Sequence, residues 1–268
     1  KPRVAVGSIA VLPFKMIGAD PANEYLGLGM ADALITRLGN IRAVVVRPTS
    51  AVRKYTDPGQ DPVAVGREQG VEAVLDGSMQ RIEDRLRVTV QLVNVRSGAP
   101  LWAGKFDEQF THIFAVQDSI SEQVARALMP ELTGEEHARL TKRHTENTEA
   151  YQLYLKGRYF WNKRTVDGFK KAIDYFQEAI DKDPNYALAY AGLADCYGVL
   201  TNYHVLAPNE SIPKARVAAL KALEIDDTLA EAHCILAGIK HEHEWDFPGA
   251  ERLFKRAIML NPNYATAH

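Results

Sequence analysis

Cysteine is scarce in this 268-residue chain, with only Cys196 and Cys234. Both lie in helical patterns with no Cys-x-x-Cys and no His at metal spacing, so each reads as a small buried hydrophobe. Charge of one sign is equally scarce: 32 Lys and Arg against 34 Asp and Glu leave a net charge of −2. That balance gives no nucleic-acid-binding or anionic-membrane surface. Long apolar runs are absent too. The stretch from Val4 to Phe14 is too short to span a bilayer and is interrupted by Gly7, Ser8 and Pro13, so it reads as a buried strand. Catalytic signatures are missing. Gly27-Leu28-Gly29 lies inside a helical pattern and lacks the rest of a phosphate-binding fingerprint, and Ser8, Ser119 and Ser121 have no nucleophile-elbow context. These absences lead to the expectation of a non-enzymatic chain with no cofactor and no metal.

What the chain has is a recurring phrase. Asp183-Pro184-Asn185-Tyr186-Ala187 returns as Asp226-Asp227-Thr228-Leu229-Ala230 and again as Asn261-Pro262-Asn263-Tyr264-Ala265. A helix stop, a turn and a new small-residue helix at a period of some tens of residues mark a stacked helical repeat. Small residues recur at fixed offsets around it. Gly157, Ala172, Phe176, Ala179 and Pro184 form one set; Tyr190, Leu193, Ala194, Tyr197, Ala215, Ala219 and Ala222 a second; His233, Leu236, Ala237, Ala250, Phe254, Ala257 and Pro262 a third. The set resembles the tetratricopeptide (TPR) repeat, two antiparallel helices per unit. Three repeats and the start of a fourth, truncated, are expected over 148–268. Lengthened turns are expected at Trp161 to Gly168 and Thr201 to Ser211.

The first half reads differently. A buried strand from Ser8 to Phe14 precedes a helix opened by Asp20-Pro21, then a strand at Ala43 to Val46 and a turn at Asp57-Pro58-Gly59. A short helix runs from Asp61-Pro62 to Gly70. The period then changes to two: Leu86, Val88, Val90 and Leu92 alternate with Arg87, Thr89 and Gln91 inside a three-stranded antiparallel meander. A helix capped by Thr111 and ended by Pro130 carries Ile113, Val116, Ile120, Val124 and Leu128 on one stripe. The fold class expected is an α/β mixed-sheet domain over 1–133, a polar linker over 134–147, and an all-α TPR solenoid.

The ordered set Ser8 to Phe14, Asn23-Glu24-Tyr25, Gly66 to Val71, Val88 to Leu92, Leu101-Trp102 and Ile113 to Gln117 resembles the TolB amino-terminal-like domain over about residues 7 to 130. Many members of that family carry an acid where this chain has Leu28, so no role of that acid carries over. With Arg47 to Tyr55 and Thr141 to Asn147, the order of the two domains resembles the carboxy-terminal region of bacterial winged-helix transcriptional regulators or TPR-bearing protein kinases.

The resemblance implies a sensory and protein-interaction region of a transcriptional regulator. The alternatives are the regulatory region of a kinase or cyclase, and a free-standing envelope scaffold. The repeat groove would hold a peptide or protein partner against Tyr151, Tyr154, Arg158, Trp161 and Asn162 of the first repeat, Asp195 and Val199 of the second, and Glu231, Cys234 and His241 of the third. Truncation within a repeat would expose a stacking surface suited to self-association. The side of the membrane is left open.

Overall fold

The computed structural model describes residues 6–18, 20–57, 59–129 and 133–268, in two units that divide between Lys142 and Arg143. Pro58 and Pro130, expected in a turn and at a helix end, lie outside the described residues.

The first unit is built around β1 (Ser8–Val11), whose Ile9, Ala10 and Val11 are fully buried. Apolar side chains on both faces suit a strand covered by helices on both sides. It pairs in parallel with β3 (Val45–Val46) and β4 (Ala73–Ile82), and β4 continues antiparallel into β5 (Arg85–Asn94) and β6 (Pro100–Gln109). The sheet order is β3-β1-β4-β5-β6, with β2 (Lys15–Met16) also paired to β4. The strand expected through Phe14 ends at Val11, and β2 begins only beyond Phe14.

Helix α1 (Tyr25–Leu38) follows a 3-10 turn at Pro21–Asn23, where Asp20 accepts from the Ala22 amide at 2.9 Å. Gly27 of α1 is obligatory: a Cβ there would stand 2.2 Å from the carbonyl oxygen of Phe14, whose own N–H donates to the Gly27 carbonyl at 3.1 Å. Gly27 therefore serves close packing of the helix on the chain between β1 and β2.

Helix α2 (Thr49–Val52) holds the hydroxyl that donates to buried Asp32 at 2.6 Å. Helix α3 (Pro62–Gln69) starts on the Asp61 cap and stops at left-handed Gly70, and its Val65 packs with Ala10, Leu12, Val52 and Val74. Helix α4 (Ile113–Leu128) packs on β6 and α1, joined to α1 by the Arg37–Asp118 ion pair. Thr111 lies in a 3-10 turn, Phe110–His112, and His112 is the residue before α4, with no capping bond from its own side chain.

Residues of the expected linker form α5 (Gly134–Leu140), closed by a reciprocal box in which Thr133 Oγ1 accepts from the Glu136 amide at 3.2 Å and Glu136 accepts from the Thr133 amide at 3.0 Å. Leu140 is fully buried, and the helix packs on α4 and α1.

The second unit is a series of helical hairpins: α6 (Thr148–Asn162) with α7 (Val166–Lys182), α8 (Ala187–Asn202) with α9 (Pro208–Ile225), and α10 (Ala230–Ile239) with α11 (Phe247–Leu260). Helix α7 also packs on α8, and α9 on α10, which is the stacking of a TPR-type array.

The three joints between hairpins share one geometry. Asp183, Asp226 and Asn261 have φ, ψ of −143°, 93°, −145°, 97° and −132°, 98°. Each side chain accepts from the amide two residues on, at 3.0, 3.1 and 3.0 Å respectively, and each carbonyl accepts from the amide of Tyr186, Leu229 or Tyr264. The recurring phrase is thus an Asx turn. The proline that follows in two joints is dispensable in the third, where Asp227 stands. His233 and His268 repeat a second contact, each Nε2 bonded to the carbonyl of Asp227 or Pro262, at 2.9 and 3.0 Å.

The turn expected from Thr201 to Ser211 is shorter, residues 203–207 between the two helices. Thr201 lies in the last turn of α8 and Ser211 in the first turn of α9, and their hydroxyls are hydrogen-bonded to each other.

Candidate functional site: the face of the first helices

Helices α6, α8 and α10 are the first helices of their hairpins, and five of the expected groove residues, Arg158, Trp161, Asp195, Glu231 and Cys234, meet there. Asp195 in the middle of α8 is half-buried, and its burial raises its pKa above the usual carboxylate range. Arg158 of α6 and Arg164, just beyond α6, oppose that rise, while Glu231 of α10 adds to it. Burial also pushes the Tyr264 phenol well above its ordinary value; Asp195, Cys234 and Glu231 act in the same direction and Arg158 against it. Three hairpins and the turn after α11 therefore contribute groups to one electrostatic neighbourhood.

Trp161 organises its cationic side. The guanidinium of Arg164 lies 3.6 Å from the indole centroid and that of Arg158 lies 4.8 Å from it, within cation–π range of a single ring. The indole Nε1 is buried with no hydrogen-bond partner. Arg164 reaches the ring because it takes a left-handed conformation at φ 54°, which ends α6 abruptly. Sequence reasoning missed Arg164; its signal was a basic residue in the lengthened turn, but positive φ at a non-glycine residue leaves no mark in sequence.

The other expected groove residues have different roles. Tyr151 is 6% exposed and Asn162 5% exposed, with the Asn162 amide donating to the Arg158 carbonyl at 2.9 Å. Tyr154 is enclosed by rings, its centroid 5.7 Å from Phe176, 5.2 Å from Tyr186 and 6.5 Å from Tyr151. Val199 is half-buried on α8. His241 is exposed in a π-helical turn, Lys240–Glu244, and packs edge-on against Phe247 at 5.5 Å.

Burial raises the Cys196 thiol well above its ordinary value and the Cys234 thiol to about 12, so both stay protonated at neutral pH. Among the described residues, no group of three or more His, Cys, Asp or Glu could hold a metal, and no helix is long and apolar enough to cross a membrane. The arrangement offers two guanidinium groups stacked on an indole beside two carboxylates, a surface that presents both charge signs.

Residues 5–123 match the family model of the second domain of HilA/YgeH-like transcriptional regulators. Over 232 residues the chain is 30% identical to a Rhizobium meliloti (strain 1021) protein named "Putative adenylate cyclase 3", a match that takes in 86% of this chain and 39% of that one. Over 114 residues it is 28% identical to the transcriptional regulator HilA of Salmonella paratyphi A, covering 42% of this chain and 20% of HilA. The chain spans about two fifths of the first relative's length, 39%, and one fifth of the second's, 20%. Among solved structures it is similar to the Arabidopsis OM64 TPR domain at 20% identity, with a TM-score of 0.36 over 44% of this chain and 88% of that one.

Proposed function

We propose that this chain is a non-catalytic regulatory region of a bacterial signalling protein whose helical hairpins receive a peptide or protein segment along α6, α8 and α10. The observation that carries the reading is the paired stacking of Arg158 and Arg164 on Trp161 next to Asp195 and Glu231. Preformed charge of both signs, held by packing, suits an extended segment that brings both signs itself. The first unit is read as a TolB amino-terminal-like domain that transmits or senses rather than catalyses.

The likeness of residues 5–123 to the HilA family supports a transcriptional regulator as the whole protein. A second reading, the regulatory region of a nucleotide cyclase, is favoured by the relative whose match extends through 86% of the chain.

The groove reading is tested by selecting a displayed random peptide library on the 268-residue chain and measuring each enriched peptide against Arg158→Glu and Asp195→Lys. Loss of at least about tenfold in affinity, from variants that melt with the parent, is the expected result for charge-steered contacts. Peptides that bind both variants as tightly as the parent would sink it. The output is tested by deleting this region from the full-length protein and measuring reporter transcription and cyclic nucleotide side by side.

A further inference from the structure

On the sheet of the first unit lies a groove of about 580 Å³, lined by Lys15, Asp76, Ser78, Thr89, Gln91 and Lys105 together with small backbone-exposing positions. That volume is in the range of small-molecule sites. Its lining follows from strand register. Lys15, Ser78, Thr89 and Lys105 form one cross-strand row over β2, β4, β5 and β6, and Asp76, Gln91 and Ala103 form a second row two residues along. Side chains two apart on a strand share a face, so both rows look the same way. Gly77, Val90 and Gly104 make the intervening row, whose side-chain positions turn to the opposite face and leave bare backbone as the floor.

Asp76 is the anomaly of this groove. Its side chain is 9% exposed, and its Oδ1 is buried without a hydrogen-bond partner. Lys15 Nζ stands 3.5 Å from each carboxylate oxygen, longer than the roughly 2.7–2.9 Å of a charge-assisted hydrogen bond. A buried carboxylate with an open acceptor calls for a donor from outside the protein. Around it, the Ser78 and Thr89 hydroxyls, the Gln91 amide and the Lys105 ammonium offer donors to an anionic group. Lys15 and Lys105 against Asp76 leave the lining one positive charge in excess. None of the lining residues is aromatic, so nothing here stacks on a nucleobase or a sugar ring.

We propose that this groove binds a small acidic amino acid, an ammonium group carrying two carboxylates. The ammonium donates to Asp76 Oδ1, and the carboxylates take the lysines with Ser78, Thr89 and Gln91. Such a site makes the first unit a receptor for a small metabolite, separate from the charged face of the helical unit.

The experiment is calorimetric titration of the 268-residue chain with L-glutamate and L-aspartate, with glutarate and L-glutamine as comparators that lack the ammonium or one carboxylate. Saturable binding of an acidic amino acid, at least tenfold tighter than either comparator, is expected. Asp76→Asn should weaken it by at least tenfold, and Lys105→Ala, at an exposed position, by at least threefold with unchanged melting temperature. No saturable binding of either acidic amino acid up to 10 mM overturns the proposal. So does binding that Lys105→Ala leaves intact, or that glutarate matches. If Asp76→Asn fails to fold, Lys105→Ala and the comparators decide the matter alone.

Discussion

The ring of Phe176 occupies the space that a side chain on Gly157 would need: a Cβ there would stand 2.5 Å from the ring. Gly192 meets the same ring from α8, at 2.6 Å, so Phe176 has no room to retreat. Gly157→Ala is expected to lower stability by about 1–2 kcal/mol, the cost of overpacking less the helix-propensity gain. In a Phe176→Leu background the same change should cost close to nothing. Equal costs in both backgrounds, measured by urea denaturation, would show that the ring is not the obstacle.

The hairpin joints make a prediction of opposite sign for two neighbouring residues. Asp226→Ala removes the acceptor of the Thr228 amide and should cost ~1 kcal/mol. Asp227→Pro should add ~0.4–1 kcal/mol, because Pro184 and Pro262 already occupy that place in joints of matching geometry, and the Asp227 amide donates no hydrogen bond among the described residues. A destabilised Asp227→Pro chain would mean that the joint at Asp226 differs from the other two.

Asp195 sets a pH dependence. Burial raises its pKa in the folded chain, so the folded state holds the proton more tightly than the unfolded one. Its contribution is most favourable below the unfolded value of roughly 3.9 and is lost as pH rises through the higher folded value. Asp195→Asn should therefore melt higher than the parent at pH 7, with the gap narrowing toward pH 4. A variant that melts lower at pH 7 would mean that attraction to Arg158 and Arg164 outweighs desolvation.

Both thiols should be silent in the native chain. With the Cys234 pKa at about 12, roughly one thiol in ten thousand is ionised at pH 8, and Cys196 is raised well above its ordinary value too. A chromogenic disulfide reagent is expected to detect no thiol in buffer and both in guanidinium. Rapid labelling of either residue before unfolding would contradict the burial described.

Much of this architecture could be read in the chain because it depends on short-range chemistry. The alternation of Leu86, Val88, Val90 and Leu92 gave β5, Gly70 closed α3 in the left-handed conformation, and the triple phrase gave the hairpin joints. Two features were harder to read, for identifiable reasons. Strand β2 is two residues long and exists only because β4 extends past β1 to meet it. Helix α5 reads as polar because its stability rests on a capping box and one buried leucine, Leu140. The site was legible in part. Recurrence along the first helices found Arg158, Trp161, Asp195 and Glu231, but the same periodicity also selected Tyr151 and Asn162, because helical spacing does not separate a residue facing a groove from one wedged between helices.

The clasped indole has an optical consequence. Three tryptophans are present, and Trp102 and Trp245 lie in different surroundings: the first donates to Gln123 at 3.1 Å and the second is 73% exposed. Replacing both with phenylalanine would leave Trp161 as the sole emitter, with two guanidinium groups within 5 Å of its centroid. Anything that draws those cations toward itself changes the field across the ring, so occupancy of the helical face would be recorded as a shift in emission without a dye attached to protein or ligand.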